Sequence, residues 1–390
     1  MRFHSSISDH ENSDDAVAAI IDSTRDAMGD QIDVAFVFFT DHHREDIEAV
    51  VERLWLELDP QCMIGCSAEG VIGGEREIER EAGMSLLVGE LSDVRLHPFH
   101  IASESDWRDC LTDPQSLREQ FGAGSETRGI IGFGDPFTTP LTQLLPILDR
   151  DIPKIPLIGG MASAARRPGQ NILVRNDEIC DRGMVGVSLS GPLRIETVVS
   201  QGCRPIGRHM IVTRSHENVI EQLGGKPAVQ VLREVVSELP ESEQNLLQNG
   251  LFVGQVASEY REKFNRGDFL VRNVIGIDEE NGTVSIADYV KTGQTVQFHV
   301  RDAQTADEDL SLMLDGQQKA PAPAAGGLLF SCNGRGLRMF EEPCHDIRIA
   351  RKSMPSTPIA GFFAAGELGP VAGKNFVHGH TASFALFRPE

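Results

Sequence analysis

The sequence is poor in positive charge. It has 36 Lys and Arg residues against 58 Asp and Glu residues in 390, and its formal net charge at pH 7 is −22. Nucleic acids and anionic membrane surfaces are bound through basic patches. The charge balance therefore argues against nucleic acid and membrane as partners, and it draws attention to any arginine that lies beside a glycine-rich turn.

Long apolar runs are also missing. No segment reaches the roughly 18 to 20 apolar residues that span a bilayer, and the opening "MRFHSSISDHENSDD" lacks the apolar centre of a secretory signal. The seven cysteines are an odd number and show no framework spacing. We therefore expect a cytoplasmic protein with reduced cysteines.

Several catalytic and binding motifs are absent from the sequence. It contains neither G-x-x-x-x-G-K-[ST] nor G-x-G-x-x-G, so nucleotide binding has no support. The string "GCSAEG" is not G-x-S-x-G, which makes a serine hydrolase a weak interpretation. No Cys/His cluster has metal-ligand spacing. We expect no cofactor and no metal.

Alternating strand and helix patterns fill the chain, whose length favours two domains. "DVAFVFFT", "REDIEAVVERLWLELD" and "CMIGCSAEG" indicate strand, helix and strand, hence a parallel pair. Shorter strands from Gln170 onward suggest antiparallel ladders, and "ENG" between two alternating runs predicts a hairpin. The predicted fold class is α/β to α+β, with two related halves of mixed sheet and flanking helices packed as one body.

One pattern recurs: a strand that runs into glycine and other small residues. It appears as "MIGCSAEG" and "LIGGMASAA" in the N-terminal half, and as "LLFSCNGRG" and "IAGFFAAGE" in the C-terminal half. Such ends expose backbone amides and allow close approach. The pattern is explained either by two sheets that need tight packing, or by an internal duplication whose strand ends converge on a shared crevice.

Long stretches of the sequence resemble a known family. "QGCRPIGRHMIVTRSHENVIEQLGGKPAVQVL" and "LLFSCNGRG…HDIRIARKSMPSTPIAGFFAAGELGP…HGHTASFALF" are similar to segments of FIST proteins, which are signal-transduction proteins of bacteria and eukaryotes. The resemblance implies a FIST N-terminal domain at residues 30–220 and a FIST C-terminal domain at residues 221–390. It also implies a sensory unit for small ligands such as amino acids. No kinase, cyclase or receptor module accompanies the pair, so we expect a separate signalling protein as partner.

The most pointed ligand-binding candidates lie at the C-terminal strand ends. Arg335, between two glycines and near Asn333, is suited to hold a carboxylate with help from backbone amides; the alternative is a structural ion pair. Glu367, between "AAG" and "LGP", would hold an ammonium group and complete a zwitterion clamp with Arg335. Its alternatives are an exposed turn carboxylate or one that caps backbone amides.

Further candidates are less specific. Cys332, beside Arg335, is either a reactive thiol or a small packed residue. His378 and His380 alternate on a predicted strand, which puts both on one face for ligand hydrogen bonding or packing. In the N-terminal half, Ser67 occupies an equivalent strand end, and Asp135 follows another strand as a turn former or a ligand contact.

These features favour a stand-alone cytoplasmic sensor. It would bind a small polar ligand, such as an amino acid, and signal through a partner. The alternatives are a thiol-dependent enzyme that uses Cys332 and an interaction scaffold without ligand. The sequence favours a protein without enzymatic activity.

Overall fold

A computed structural model describes residues 1–29, 31–259, 264, 267–318, 320 and 322–390. The strands, in chain order, are β1 (Arg2–Ser8), β2 (Val34–Thr40), β3 (Cys62–Ala68), β4 (Gly70–Gly73), β5 (Arg76–Glu79), β6 (Met84–Glu90), β7 (Arg95–Ile101), β8 (Thr127–Gly134), β9 (Leu157–Met161), β10 (Leu173–Arg175), β11 (Glu178–Cys180), β12 (Met184–Ser190), β13 (Leu193–Gln201), β14 (Cys203–His216), β15 (Val219–Leu223), β16 (Lys226–Pro227), β17 (Leu251–Val256), β18 (Phe269–Asp278), β19 (Thr283–Ile286), β20 (Thr295–Arg301), β21 (Gly326–Cys332), β22 (Ile359–Ala364), β23 (Glu367–Val371), β24 (Lys374–His378) and β25 (Thr381–Pro389).

The α-helices are α1 (Ser13–Met28), α2 (Ile47–Leu58), α3 (Glu104–Thr112), α4 (Pro114–Gln120), α5 (Leu141–Asp151), α6 (Ala228–Glu238), α7 (Glu241–Gln244), α8 (Ala303–Gln318) and α9 (His345–Ser353). Short 3-10 helices cover Asp41–Asp46, Asn245–Asn249 and Gly336–Arg338. Local chemistry sets several ends. Asn12 caps α1 by accepting a hydrogen bond from the backbone N–H of Asp15 at 3.0 Å, and Ser103 and Asp106 form a reciprocal capping box on α3.

The chain divides into two units. The first comprises Met1–Val199, Leu310–Val377 and Thr381–Glu390, and the second comprises Ser200–Asp309 and His378–His380. Among the described residues, no helix is long and apolar enough to cross a membrane.

Three mixed sheets build the first unit. Their strand orders are β1-β6-β2-β3-β10-β11, β24-β23-β9-β8-β12-β7 and β13-β25-β21-β22-β4-β5. Each contains one parallel pair, β2 with β3, β8 with β9, and β21 with β22. Strands distant in sequence share sheets, because β4 pairs antiparallel with β22 and β23 pairs antiparallel with β9.

Aromatic side chains join the three sheets in the core of the first unit. Phe38 on β2 lies 5.2 Å from Phe133 on β8 and 5.0 Å from Phe362 on β22, measured between ring centroids. Phe330 on β21 lies 5.9 Å from Phe133 and 5.5 Å from Phe362. All four rings are fully buried. Their contacts fix the three sheets against one another, and thereby the positions of the strand ends.

The second unit contains one antiparallel sheet of order β14-β20-β17-β18-β19-β15-β16, with β14 also paired to β15. The buried faces of Val253, Phe298 and Val300 pack with apolar residues of α6. The predicted "ENG" hairpin is present as the antiparallel pair of β18 and β19.

The predicted mixed α/β class is confirmed, as are the parallel β2–β3 pair and the antiparallel ladders after Gln170. Three other stretches differ from their sequence patterns. "PIAGFFAAGELGP", whose pattern predicts one strand, forms two strands in different sheets, β22 and β23. The terminal "FVHGHTASFALF", also predicted as one strand, is two strands, and "RFHSSIS", for which the pattern predicts no strand, forms β1. The linker-like composition of residues 317–327 predicts a loop that enters the next strand. Helix α8 extends to Gln318 and β21 begins at Gly326, while Lys319 and Pro321 lie outside the described residues.

Candidate functional site

The four glycine-rich strand ends lie together in the first unit. The backbone N–H of Asn333, after β21, donates to the carbonyl of Ala364 at 2.9 Å. Beyond β22, the N–H of Ala365 donates to the carbonyl of Met161 at the end of β9, also at 2.9 Å. Ser163, after β9, donates from its backbone N–H to the carbonyl of Ser67 on β3 at 3.2 Å. Hydrogen bonds therefore connect the ends of β21, β22, β9 and β3 in series.

The turn after β21 has a backbone that requires glycine. Gly336 has φ 55°, and a Cβ atom at this position would lie 2.6 Å from Cδ of Glu79. The carboxylate of Glu79 accepts a hydrogen bond from the N–H of Leu337 at 3.0 Å. A side chain at residue 336 would therefore meet both backbone strain and the group that holds the turn.

Arg335 is not open to a ligand in the way that the sequence suggested. Its Nε and Nη2 atoms donate to Asp346 Oδ2 and Oδ1 at 2.8 and 2.7 Å, and both side chains are buried, with exposures of 0% and 1%. The guanidinium also lies 5.3 Å from the ring centroid of Phe340. Arg335 thus forms a structural ion pair, the alternative that the sequence left open, with a buried partner on α9.

Asp346 is the centre of this buried polar cluster. Ser331 Oγ donates to its Oδ2 at 2.7 Å, and His345 Nδ1 lies 2.9 Å from its Oδ1. Burial acts to raise the pKa of Asp346, but the guanidinium of Arg335 holds that pKa well below its usual range. The side chain is therefore a carboxylate at neutral pH, and the pair is fully ionised.

Glu367 is also completely buried, rather than exposed on a turn. Its Oε2 accepts hydrogen bonds from Thr381 Oγ1 at 2.7 Å and from the Thr381 N–H at 3.2 Å. Burial raises the pKa of Glu367 to about 8, although hydrogen bonds from Thr381 and from the Cys332 thiol and the charge of Arg335 act to lower it. At pH 7 the side chain is mostly protonated, so it is a poor ammonium anchor.

Three buried side-chain atoms of this region have no hydrogen-bond partner among the described residues. They are Glu77 Oε2, Asn333 Oδ1 and Arg335 Nη1. Burying such an atom without a partner costs about 1–3 kcal/mol. Their concentration around one turn indicates a place where a further polar group is favoured.

A narrow cleft opens beside the same turn. It is lined by Glu69, Gly70, Glu79, Arg80, Asn333, Arg338 and Phe363, and its free volume of ≈ 10 Å³ fits about one water molecule. Arg338 bridges it, because its Nη1 donates to Glu69 Oε2 at 2.9 Å and to the carbonyl of Asn333 at 2.8 Å. The lining offers two arginines and two carboxylates, which suits a group that carries both charges.

A second acid near the turn was missed by the sequence analysis. Glu77 is 8% exposed and accepts a hydrogen bond on Oε1 from the N–H of Ile347 at 2.8 Å. Burial, together with the charge of Asp346, raises the pKa of Glu77 to about 8. The run "EREIERE" has the composition of an exposed charged strand, and period-two alternation places Glu77 on the face opposite to Ile78, so the sequence carries no local signal that Glu77 is buried.

Cys332 lies at the end of β21 and is half-buried. Its sulfur accepts a hydrogen bond from the Gly334 N–H at 3.4 Å, and its thiol donates to Glu367. The fold therefore brings Cys332 and Glu367 together, although they are far apart in the sequence.

His378 and His380 do not alternate on one strand. β24 ends at His378, and His380 has φ 62°, which interrupts the strand before β25 begins. His380 Nε2 lies 2.9 Å from Asn273 Oδ1, and its ring packs at 4.5 Å against Phe252. Both histidines group with the second unit, so we leave them out of the candidate site.

Ser67 and Asp135 have structural contacts. Ser67 Oγ accepts a hydrogen bond from the Ile172 N–H at 2.9 Å. Asp135 is fully buried, and accepts from Asn171 Nδ2 at 2.9 Å and from Thr138 Oγ1 at 2.7 Å. The Asp135–Thr138 contact is the turn chemistry that the sequence left as one alternative. In the part of the chain that the structure describes, no group of three or more His, Cys, Asp or Glu side chains is placed to hold a metal.

Comparison with known proteins finds similar proteins in mycobacteria. The uncharacterized protein Rv0628c of Mycobacterium tuberculosis is 38% identical over 346 residues, which cover 88% of each chain. The uncharacterized protein Mb0898c of Mycobacterium bovis is 36% identical over 375 residues, which cover 95% of each chain.

Family comparison identifies both parts of the chain. Residues 33–226 match the FIST N domain, and residues 228–370 match the FIST C domain. The four strand ends that these hydrogen bonds connect come from both regions, β3 and β9 from the first and β21 and β22 from the second. The chain therefore belongs to the FIST family, with its FIST N and FIST C domains in tandem.

Proposed function

We propose that this FIST protein is a sensor that binds a small polar ligand, an amino acid being the class that fits best, in the cleft beside the Asn333–Arg338 turn, and that it signals through a separate protein. The observation that carries the proposal is the buried, unpartnered Asn333 Oδ1 in a cleft lined by Arg80, Arg338, Glu69 and Glu79. An ammonium group would satisfy the amide oxygen, and a carboxylate would take an arginine.

This proposal revises the clamp expected from the sequence. In this proposal, the buried Arg335 and Glu367 fix the conformation of the turn and its electrostatic potential. Arg338 and Asn333 make the contacts with the ligand. Arg338 is suited to this because its side chain is 40% exposed and its partner Glu69 is 33% exposed. An exposed pair of this kind contributes only about 0–1 kcal/mol, so a ligand can displace it.

Displacement of this pair supplies the coupling that a sensor needs. A ligand larger than one water enters the cleft only when Glu69 and Arg338 part. Glu69 belongs to the FIST N region and Arg338 to the FIST C region. Binding would therefore favour an arrangement in which these two segments are released, and such differential affinity is what shifts a population.

The test is a thermal-shift screen of the whole chain against amino acids and small carboxylates. A ligand present at 100 times its Kd stabilises the folded state by about 2.7 kcal/mol. We expect stabilisation by one chemical class, lost in Asn333→Ala and in Arg338→Ala. The matched control is Arg128→Ala, whose ion pair with Glu390 has similar exposure, 41% and 53%. The proposal fails if no compound stabilises the protein, or if both cleft variants keep the full shift.

One observation favours a second candidate, a thiol-dependent enzyme. The Cys332 thiol donates to Glu367, whose pKa burial raises to about 8, so the minority of molecules in which Glu367 is ionised at pH 7 have a carboxylate placed to accept the thiol proton. The candidate requires that Cys332 is alkylated selectively at neutral pH and that Glu367→Gln slows this labelling by at least about tenfold. Equal and slow labelling of the half-buried Cys332 and Cys344 would remove its support.

A further inference from the structure

A second thiol lies within hydrogen-bond reach of a histidine, outside the cleft just described. Cys180 Sγ is 3.4 Å from His100 Nδ1. Cys180 is the last residue of β11, which lies at the edge of one sheet, and His100 lies on β7, at the edge of another. Two edge strands of the first unit thus present a thiol and an imidazole to each other.

The histidine is held in the tautomer that accepts a proton from sulfur. His100 Nε2 lies 3.0 Å from the backbone carbonyl oxygen of Arg182. A carbonyl can only accept, so Nε2 carries the hydrogen and Nδ1 of the neutral ring is the acceptor. Nucleophile, base and a third group that orients the base are the parts of an activated nucleophile.

An open cleft of about 300 Å³ lies next to this pair. Its lining includes His97, Phe99, His100, Glu119 and Arg175. The charge of Arg175 acts on Cys180 in the direction that favours the thiolate, while Glu178 and Asp181 oppose it. A small molecule in this cleft therefore has access to His100 and to Arg175, whose guanidinium also pairs with Glu178.

The resting thiol is protonated. Burial raises the pKa of Cys180 to about 11, so at pH 7 about one molecule in ten thousand carries the thiolate. Attack at neutral pH consequently depends on a base that removes the proton as the sulfur bonds. His100 Nδ1 is the acceptor in place to do so.

We propose that Cys180 and His100 form a nucleophilic modification site for small, soft carbon electrophiles such as alkyl halides and α,β-unsaturated carbonyl compounds. With an alkyl halide, Sγ forms the carbon–sulfur bond, the halide leaves with its bonding electrons, and the thiol proton passes to His100 Nδ1. With an unsaturated carbonyl compound, Sγ adds to the β-carbon and the proton held on Nδ1 is transferred to the α-carbon. The site is independent of the proposed sensor cleft.

The test measures iodoacetamide labelling of the intact protein, cysteine by cysteine, by mass spectrometry. We expect Cys180 to label at pH 7, and His100→Gln to slow that labelling by at least about tenfold. His97→Gln is the matched control, because His97 lines the same cleft, and it should leave the rate within about twofold of wild type. Labelling of Cys332 and Cys344 in the same samples monitors the fold of each variant.

The pH profile separates a base from a merely structural histidine. In His100→Gln the rate should rise about tenfold per pH unit between pH 7 and 9, because only the thiolate reacts. In the wild type the rise should be much shallower. The proposal is overturned if Cys180 stays unlabelled, if His100→Gln labels as fast as wild type, or if the two profiles coincide. Should His100→Gln not fold, a wild-type slope of tenfold per pH unit overturns it alone.

Discussion

Asp346 holds the guanidinium of Arg335 with both carboxylate oxygens, at 2.8 and 2.7 Å, and neither side chain has more than 1% of its surface exposed. The pair joins the glycine-rich turn after β21 to the first turn of α9. Its removal from water is costly, and only the bidentate geometry and the hydrogen bonds from Ser331 and His345 offset that cost.

Removal of one partner of the Arg335–Asp346 pair should therefore destabilise the folded protein strongly. We expect Asp346→Ala to lower the free energy of unfolding by about 3–5 kcal/mol, because it leaves an uncompensated guanidinium in the core. Urea denaturation measures this directly. The double variant Arg335→Met/Asp346→Leu should recover most of the loss. A single-variant loss no larger than that of Arg128→Ala, a surface pair worth about 0–1 kcal/mol, would contradict the assignment.

The buried Glu367 predicts a pH dependence of stability with a defined sign. Its folded-state pKa of about 8 exceeds the ordinary value of 4.5, so between these values the folded state binds more protons than the unfolded state. Its contribution to stability is complete below pH 4.5 and is lost as the pH rises through 8.

We expect Glu367→Gln to remove this dependence, because glutamine stays neutral. The difference in unfolding free energy between variant and wild type should then move in favour of the variant from pH 5.5 to about pH 8, by up to about 1.4 kcal/mol per pH unit, and level off above pH 8. Urea denaturation across this range measures it, and Glu126→Gln, on an exposed surface pair, is the control. A difference that is constant with pH would show that Glu367 is ionised throughout.

A comparison of Gly336 with Gly224 separates two costs of a substitution, the strain of a left-handed backbone and the steric contact of the added Cβ atom. Gly336→Ala should lose more stability than Gly224→Ala, because the two glycines have φ 55° and 57° but only Gly336 faces a neighbour, Glu79. The left-handed backbone alone costs alanine about 1–2 kcal/mol, and the contact adds to this at residue 336. Thermal or urea denaturation of both variants measures the two losses of stability. Equal losses would mean that Glu79 moves away from the added Cβ atom without a cost in free energy.

The Glu69–Arg338 pair is open to a charge-reversal cycle. Glu69→Arg and Arg338→Glu should each destabilise the protein slightly, and the double variant should recover, with a coupling energy of about 0.2–1 kcal/mol. Stability measured in low and high salt checks the electrostatic origin, since screening weakens an exposed pair. Strictly additive single effects would mean that the two side chains do not interact in solution.

Sequence patterns predicted the strands well, because runs such as "DVAFVFFT" and "LLFSCNG" must be buried wherever they pair. They also predicted the glycine turn, whose positive φ at Gly336 needs glycine. They did not predict the partner of Arg335, because Asp346 is one of 58 acids and its burial depends on how α9 packs. Glu77 and Glu367 look exposed for the same reason: Glu77 is buried where β5 contacts α9, Glu367 is buried on β23 where that strand pairs with β9, and such long-range contacts leave no local signal.

The interleaved sheets have a consequence for synthesis of the chain. β4 needs β22 as its neighbour, β9 needs β23, and β21 lies between β22 and β25, which ends at Pro389. Pairings separated by hundreds of residues form slowly, and the ribosome releases the N-terminal strands first. We therefore expect nascent chains that stop after the FIST N region to expose unpaired strand edges and to depend on chaperones until β25 has emerged.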